Sequence, residues 1–329
     1  MQQTRGPPDP PKDFEPEAGC HCCAAVPESG LAGVSQKWER EMVSVEIHVD
    51  DGTPWYMSPD IWVVPGTDPD GAAGTPVVGE PAFVWARVHN RGSTSVPDAT
   101  VRFYWADPSS AINRASAHAI GTSGAAIEAG DVQDVLCLTP WIPSSATSPH
   151  VCLLVEAYAP ADPLPPHTTL TPFDPPGDRH VAQRNINLLQ VSPKMKLVFL
   201  PFLAGGATRR GDTRVVARRV PLETIDRGLL ERLGVREAND ADGEFRVTIG
   251  HYRRGVDPEP FETDEIRVRG PRQQELAIAV ELGGQLREGS ALVVVAEEVS
   301  DKDEVLGGVS AVILGSPQVE GSDQKEVAR

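Results

Sequence analysis

The chain has 329 residues, 40% of them hydrophobic, with 47 acidic against 30 basic side chains and a formal net charge of −17. That length allows two or three domains of roughly 100–200 residues each, and the charge argues against nucleic-acid binding, because the average surface repels a phosphate backbone. No apolar run approaches the ~18 residues of a transmembrane helix, so no membrane insertion is expected.

The 31 prolines and 30 glycines punctuate strands and turns rather than extend helices, which favours an all-β protein with many loops. Residues 1–41 read as a Pro- and Cys-rich flexible tail. The opening MQQTRGPPDPPKDFEPEAG carries no apolar segment of the kind a secretory signal needs. The expected location is the cytoplasm, or export without a classical signal peptide.

A first domain is expected over 42–191, beginning where VSVEIHV alternates, with strands near 43–49, 59–64, 82–89, 98–106, 131–138, 150–158 and 182–190. Its centre is AFVWARVHNRGSTSVPDATVRFYWAD, residues 82–107. There Val84, Ala86 and Val88 share one face, and Val101, Phe103 and Trp105 share another. Two such runs joined by a short polar turn predict a hairpin with one buried side. All six tryptophans (Trp38, Trp55, Trp62, Trp85, Trp105 and Trp141) fall in this half of the chain. The second half must therefore pack with aliphatic side chains.

A second domain is expected over 192–316, and only Ser192 and Pro193 lie between the last strand of the first and the first strand of the second, which implies domains in contact. Strands are expected near 196–202, 213–219, 245–251, 264–269, 275–282, 291–298 and 308–314. One helix is expected over 222–234, where Ile225, Leu229, Leu230 and Leu233 share a face and Gly234 suits a stop. Residues 317–329 read as a frayed polar tail. The expected fold is mostly β, two tandem immunoglobulin-like sandwiches, the second with one short helix.

The run 82–107 resembles the cell-adhesion-related (CARDB) domain of bacterial proteins, an immunoglobulin-like β-sandwich with a strand, an N-x-G turn and a strand ending in an aromatic pair. The matching residues are Val88, Asn90, Gly92, Val101, Phe103 and Tyr104, with companion segments SPDIWV, HVCLLVEAYAP and AQRNIN. The resemblance spans about 58–190. It implies a module that binds other proteins or surfaces, or spaces out catalytic domains, without chemistry of its own.

Cys20, His21, Cys22 and Cys23 offer four ligands suited to Zn²⁺ or Cu(I), although the paired CxxC spacing of a structural zinc site is absent. The alternatives are a reduced tail or a cross-link to a neighbouring subunit. Cys137 and Cys152 read as small buried hydrophobes. Asp68-Pro69-Asp70-Gly71 and Asn239-Asp240-Ala241-Asp242-Gly243 carry oxygen ligands for Ca²⁺, but Ile249 stands where a bidentate Glu would close the second loop; ordinary Asx turns are the alternative. Trp55, Tyr56 and Trp62 could line a platform for a sugar or a Pro-rich peptide, or pack internally. Alternation sends Phe83 and Trp85 outward, where a loop, the other domain or a partner must cover them.

No HExxH, G-x-S-x-G, Walker loop or GxGxxG occurs, so no enzyme is expected. The reading is a structural or adaptor subunit of a larger bacterial assembly, contacting other protein subunits or copies of itself. The alternative is a carbohydrate- or Ca²⁺-binding module of a surface or secreted complex.

Overall fold

The structure, a computed structural model, describes residues 45–143, 151–192, 194–205, 212–235, 238–253, 260–269, 272–283 and 286–315. The first eight strands are β1 (Ile47–His48), β2 (Ile61–Pro65), β3 (Ala82–Asn90), β4 (Val96–Ala106), β5 (His118–Ile127), β6 (Val132–Leu136), β7 (Cys152–Tyr158) and β8 (Val181–Arg184). They form two antiparallel sheets. In one, β3 pairs with β1, β2 and β6; in the other the order is β5-β4-β7-β8.

The alternating apolar faces of β3 and β4 build the core between these sheets. Ala82, Val84, Ala86 and Val88 on β3, with Val96, Val101 and Phe103 on β4, are at most 1% exposed. Burying each Val or Phe side chain contributes about 1.5–3 kcal/mol. The hairpin expected of residues 82–107 does not form, because β3 and β4 lie in different sheets and share no pairing. Their apolar faces meet across the sandwich. Asn90 sets this arch: its Nδ2 donates to the carbonyls of Thr94, Ile127 and Glu128 at 2.8, 3.3 and 3.1 Å, and its Oδ1 accepts from Gly92 N at 3.1 Å.

The remaining strands are β9 (Ile186–Val191), β10 (Leu197–Ala204), β11 (Thr213–Val220), β12 (Asn239–Asp240), β13 (Phe245–His251), β14 (Glu265–Val268), β15 (Gln274–Leu282), β16 (Ser290–Val299) and β17 (Val305–Gly315). One sheet runs β10-β15-β13. The other runs β14-β11-β16-β17-β9, with β12 beside β16. Aliphatic side chains fill the space between them, such as Leu200, Ile278, Leu292, Val294 and Ile313.

Both faces of β16 are buried, which explains its unbroken apolar run ALVVV. Ala291, Val293 and Val295 point away from the inter-sheet core and pack under Leu229, Leu230 and Leu233. The helix is shorter than the expected 222–234. A 3₁₀ turn covers Leu222–Thr224, Ile225 is extended, Asp226 is a non-helical N-cap, and α1 spans Arg227–Arg232. Asp226 causes the break, since its carboxylate caps the new N-terminus by accepting from Leu229 N at 2.8 Å. Among the described residues no helix is long and apolar enough to cross a membrane.

The strand expected over 182–190 is also divided. Asn185 separates β8, in the first pair of sheets, from β9, which runs parallel to β17 in the second. Its Nδ2 donates to Ser109 O at 3.1 Å and Gly308 O at 2.6 Å, so one side chain bonds both sandwiches. Beside it, Tyr56 Oη donates to Glu297 Oε1 at 2.9 Å and Ser110 Oγ bonds Glu298 Oε2.

Cys137 and Cys152 are both free and buried in separate apolar clusters. Burial pushes both thiols up in pKa.

Candidate functional site

The outer side of the β4-β7 sheet is covered by Ile112 and Phe173, and that of β16 by α1. On the β10-β15 sheet, Tyr252 and Phe261 pack over Phe199, Ala277 and Ala279. The outer side of the sheet centred on β3 differs along its length. Strand alternation brings out Phe83, Trp85, Arg87 and His89 on β3, opposite Trp62 on β2 and Leu136 and Asp134 on β6.

Trp62 and Trp85 are direct cross-strand neighbours, their rings stacked at 5.9 Å and 6°. Trp85 Nε1 donates to Pro69 O at 3.1 Å, and the Arg232 guanidinium from α1 lies 4.3 Å from the Trp62 ring centroid. Further along, Arg87 grips Asp134 through two bonds of 2.7 and 2.9 Å, and His89 Nε2 lies 2.7 Å from Asp60 Oδ2. The side chains of this upper part are engaged with one another, although Val132, opposite His89 at the far end of β6, is 46% exposed.

The lower part is open. Leu138 is 73% exposed, Ile142 60%, Val77 56% and Val78 47%. Gly79 N donates to Pro143 O at 2.8 Å and Glu80 N to Val77 O at 3.1 Å, so the Val77–Val78 turn is held against Ile142. Cys137 N bonds Val84 O at 2.8 Å, which carries Leu138 along the edge of β3 next to half-buried Phe83. These four exposed aliphatics were not singled out from sequence. Exposure in loops follows no period; the proline beside or near each of them (Pro76, Pro140, Pro143) was the available local signal.

Of the aromatic residues named from sequence, Phe83 and Trp85 do point outward, and Trp62 joins Trp85. Trp55 is elsewhere: it is half-buried against the α1 cluster, its Nε1 3.5 Å from Val305 O. Tyr56 requires correction as a docking residue. It is 0% exposed with its hydroxyl on Glu297, and burial followed by that carboxylate raises its pKa well above the ordinary value. Cys20, His21, Cys22 and Cys23 lie outside the described residues.

The two acidic loops are engaged internally. Asp68 Oδ1 accepts from Asp70 N at 3.1 Å and Asp68 O from Gly71 N at 3.2 Å, an Asx turn. Asp240 Oδ1 accepts from Arg219 Nη2 at 2.9 Å. Among the described residues no three His, Cys, Asp or Glu side chains are grouped to hold a metal ion.

No protein-family model and no curated protein matches the chain. Among solved structures it is similar to a CARDB domain from Pyrococcus furiosus in complex with di-metal ions, at 12% identity over 44% of this chain and 92% of that one, TM-score 0.24. It is similar also to a tip adhesin from Pseudomonas aeruginosa, at 12% identity over 83% of this chain and 99% of that one, TM-score 0.21. A collagen adhesin from S. aureus matches at 6% identity over 77% and 91%, TM-score 0.20. Scores this low leave the functional argument to the residues themselves.

His48 lies beside the upper part of this face, next to His89. Burial first, then Arg91, lowers the pKa of His48 below 6.5; its ring stands 6.0 Å from that of His89. The unfolded chain then binds this proton more readily than the folded one, so the contribution is intact above pH ~6.5 and is lost as the pH falls below it. In urea melts at pH 7 and pH 5, His48→Asn is expected to lose less stability on acidification than the parent. Equal losses would refute the assignment.

Proposed function

We propose that this chain is a non-enzymatic structural or adaptor subunit that works through protein–protein contacts, and that the lower face around Leu138 is buried by a partner protein. The observation that carries this reading is the exposure of Val77, Val78, Leu138 and Ile142 around the outward Phe83, at one end of a sheet where the other end leaves only Val132 as an exposed aliphatic among the described residues. Apolar clusters of this kind on an otherwise charged surface mark contact sites. A net charge of −17 opposes self-association and favours a basic partner, with Glu80 at the rim of the cluster. The carbohydrate reading is weaker, because the rings of Trp62 and Trp85 are already engaged with each other and with Arg232.

The test is native mass determination of the full-length chain purified gently from its own cells, beside Val78→Asp/Leu138→Asp. Both positions are exposed, so the double variant should keep the parent's melting temperature. The expected result is a complex with a basic chain that the double variant fails to hold, binding at least about tenfold more weakly as for a lost apolar anchor. A monomer in both preparations, or a complex that survives the substitutions, would overturn the proposal.

A further inference from the structure

Burying a guanidinium without an anionic partner is costly, and arginines this deep are ordinarily paired. Arg184, the last residue of β8, is 4% exposed. Among the described residues its guanidinium makes one hydrogen bond, from Nη1 to the neutral carbonyl of Ile61 at 3.1 Å. A second guanidinium converges on the same segment from α1. Arg232 lies over the Trp62 ring, and its Nη1 stands 3.9 Å from Asp60 Oδ1, beyond hydrogen-bond reach.

Asp60 is only a distant partner for Arg232 and makes no ion pair with Arg184. Its Oδ2 already accepts from Asp50 N at 2.9 Å and lies 2.7 Å from His89 Nε2. The neighbouring Asp134 is held by Arg87. Arg232 thus has only a long approach to Asp60 Oδ1, Arg184 has no carboxylate within ion-pair distance among the described residues, and the consecutive residues Asp60, Ile61 and Trp62 carry the contacts of both guanidiniums. Burial and the nearby Arg232 push the pKa of Arg184 down to about 10, as expected of a cation lacking a counter-ion.

We infer that Arg184 and Arg232 form a binding site for a small oxyanion, a carboxylate or a phosphate, at the junction of β2, β8 and α1. Guanidinium groups offer planar, forked donors that suit such ligands. Arg184 supplies the fixed, desolvated charge. Arg232, with 18% of its side chain exposed, is the group able to close over the ligand from the solvent side. The site is independent of the docking face around Leu138 and goes beyond the reading of the chain as an interaction subunit.

The test is thermal unfolding of the full-length chain with added inorganic phosphate or acetate at constant ionic strength. A ligand that binds only the folded state raises Tm with the logarithm of its concentration once above Kd, here by roughly 4 °C at about ten times Kd. Arg232→Gln should abolish that rise. Arg246→Gln, an exposed pair on the second sandwich, should retain it. A response to phosphate alone assigns a phosphate site, and a response to acetate alone a carboxylate site. Arg184→Met should melt no lower than the parent without added anion, and should no longer respond to it. A parent that responds to neither anion, an Arg232→Gln variant that responds like the parent, or an Arg184→Met variant destabilised equally in all buffers would overturn the inference.

Discussion

Replacing Glu156 by alanine is expected to cost about 4 kcal/mol of stability, because it leaves Arg114, whose side chain is only 12% exposed, without its counter-charge. Glu156 is 0% exposed. Its Oε1 accepts from Arg114 Nε at 3.0 Å and Nη2 at 2.5 Å, and its Oε2 accepts from the Tyr104 hydroxyl at 2.8 Å. Arg114 also donates to the carbonyls of Thr171 and Pro172 at 3.3 and 3.1 Å, and its guanidinium lies 4.7 Å from the Phe173 ring centroid. One carboxylate therefore fastens two long loops over the outer side of β4 and β7. Burial, then Glu156, pushes the Tyr104 phenol up to about 12, so it remains a donor at neutral pH. Glu156→Gln keeps an acceptor and should lose less than Glu156→Ala. Joint replacement of Glu156 and Arg114 by methionine should cost less than the two single changes added together. Urea melts of the parent, Glu156→Ala, Glu156→Gln, the two single methionine variants and the double variant measure this. A loss under about 1 kcal/mol for Glu156→Ala would mean that the pair is not supporting the loops.

This network also marks where sequence reasoning stops. The alternation of Val84, Ala86 and Val88, and of Val101 and Phe103, reveals one buried face per strand. It does not say whether those faces lie side by side or opposite one another, and the structure places them opposite. On β7 the outward Leu154 and Glu156 are as buried as the inward Val155, because the loop carrying Arg114 and the segment carrying Phe173 cover them. Nothing local to β7 announces that cover. The split of the expected helix at Asp226 and of the expected strand at Asn185 each depends on a polar side chain with partners, one nearby and one remote. In the candidate site, the outward direction of Trp85 was readable from the strand period. Its closure by Pro69, and of Trp62 by Arg232, was not, since neither contact follows from spacing.

Gly307→Ala is expected to cost about 3 kcal/mol or more, the upper range for forcing atoms into a closely packed site. A Cβ added there would stand 1.7 Å from the carbonyl oxygen of Ser110, and backbone on a loop of the other sandwich cannot rotate away as a side chain tip would. Relief requires the two sandwiches to part at this point. Ser110 Oγ would then leave Glu298, a 0% exposed carboxylate whose oxygens also accept from Gly205 N at 2.9 Å and Thr213 Oγ1 at 2.6 Å. The strain therefore adds to the desolvation cost of a buried polar group that loses a partner. The neighbouring Gly308 is under the same constraint, since its added Cβ would fall 2.5 Å from the Tyr56 ring. Gly124→Ala on β5 is the matched control: its nearest neighbour is Ala99 O at 3.8 Å, so the change should be neutral or stabilising by up to about 1 kcal/mol. Calorimetric melting of the two variants beside the parent separates crowding from the general effect of removing a glycine. If Gly307→Ala melts with Gly124→Ala, the contact between Ser110 and β17 does not hold the two sandwiches together.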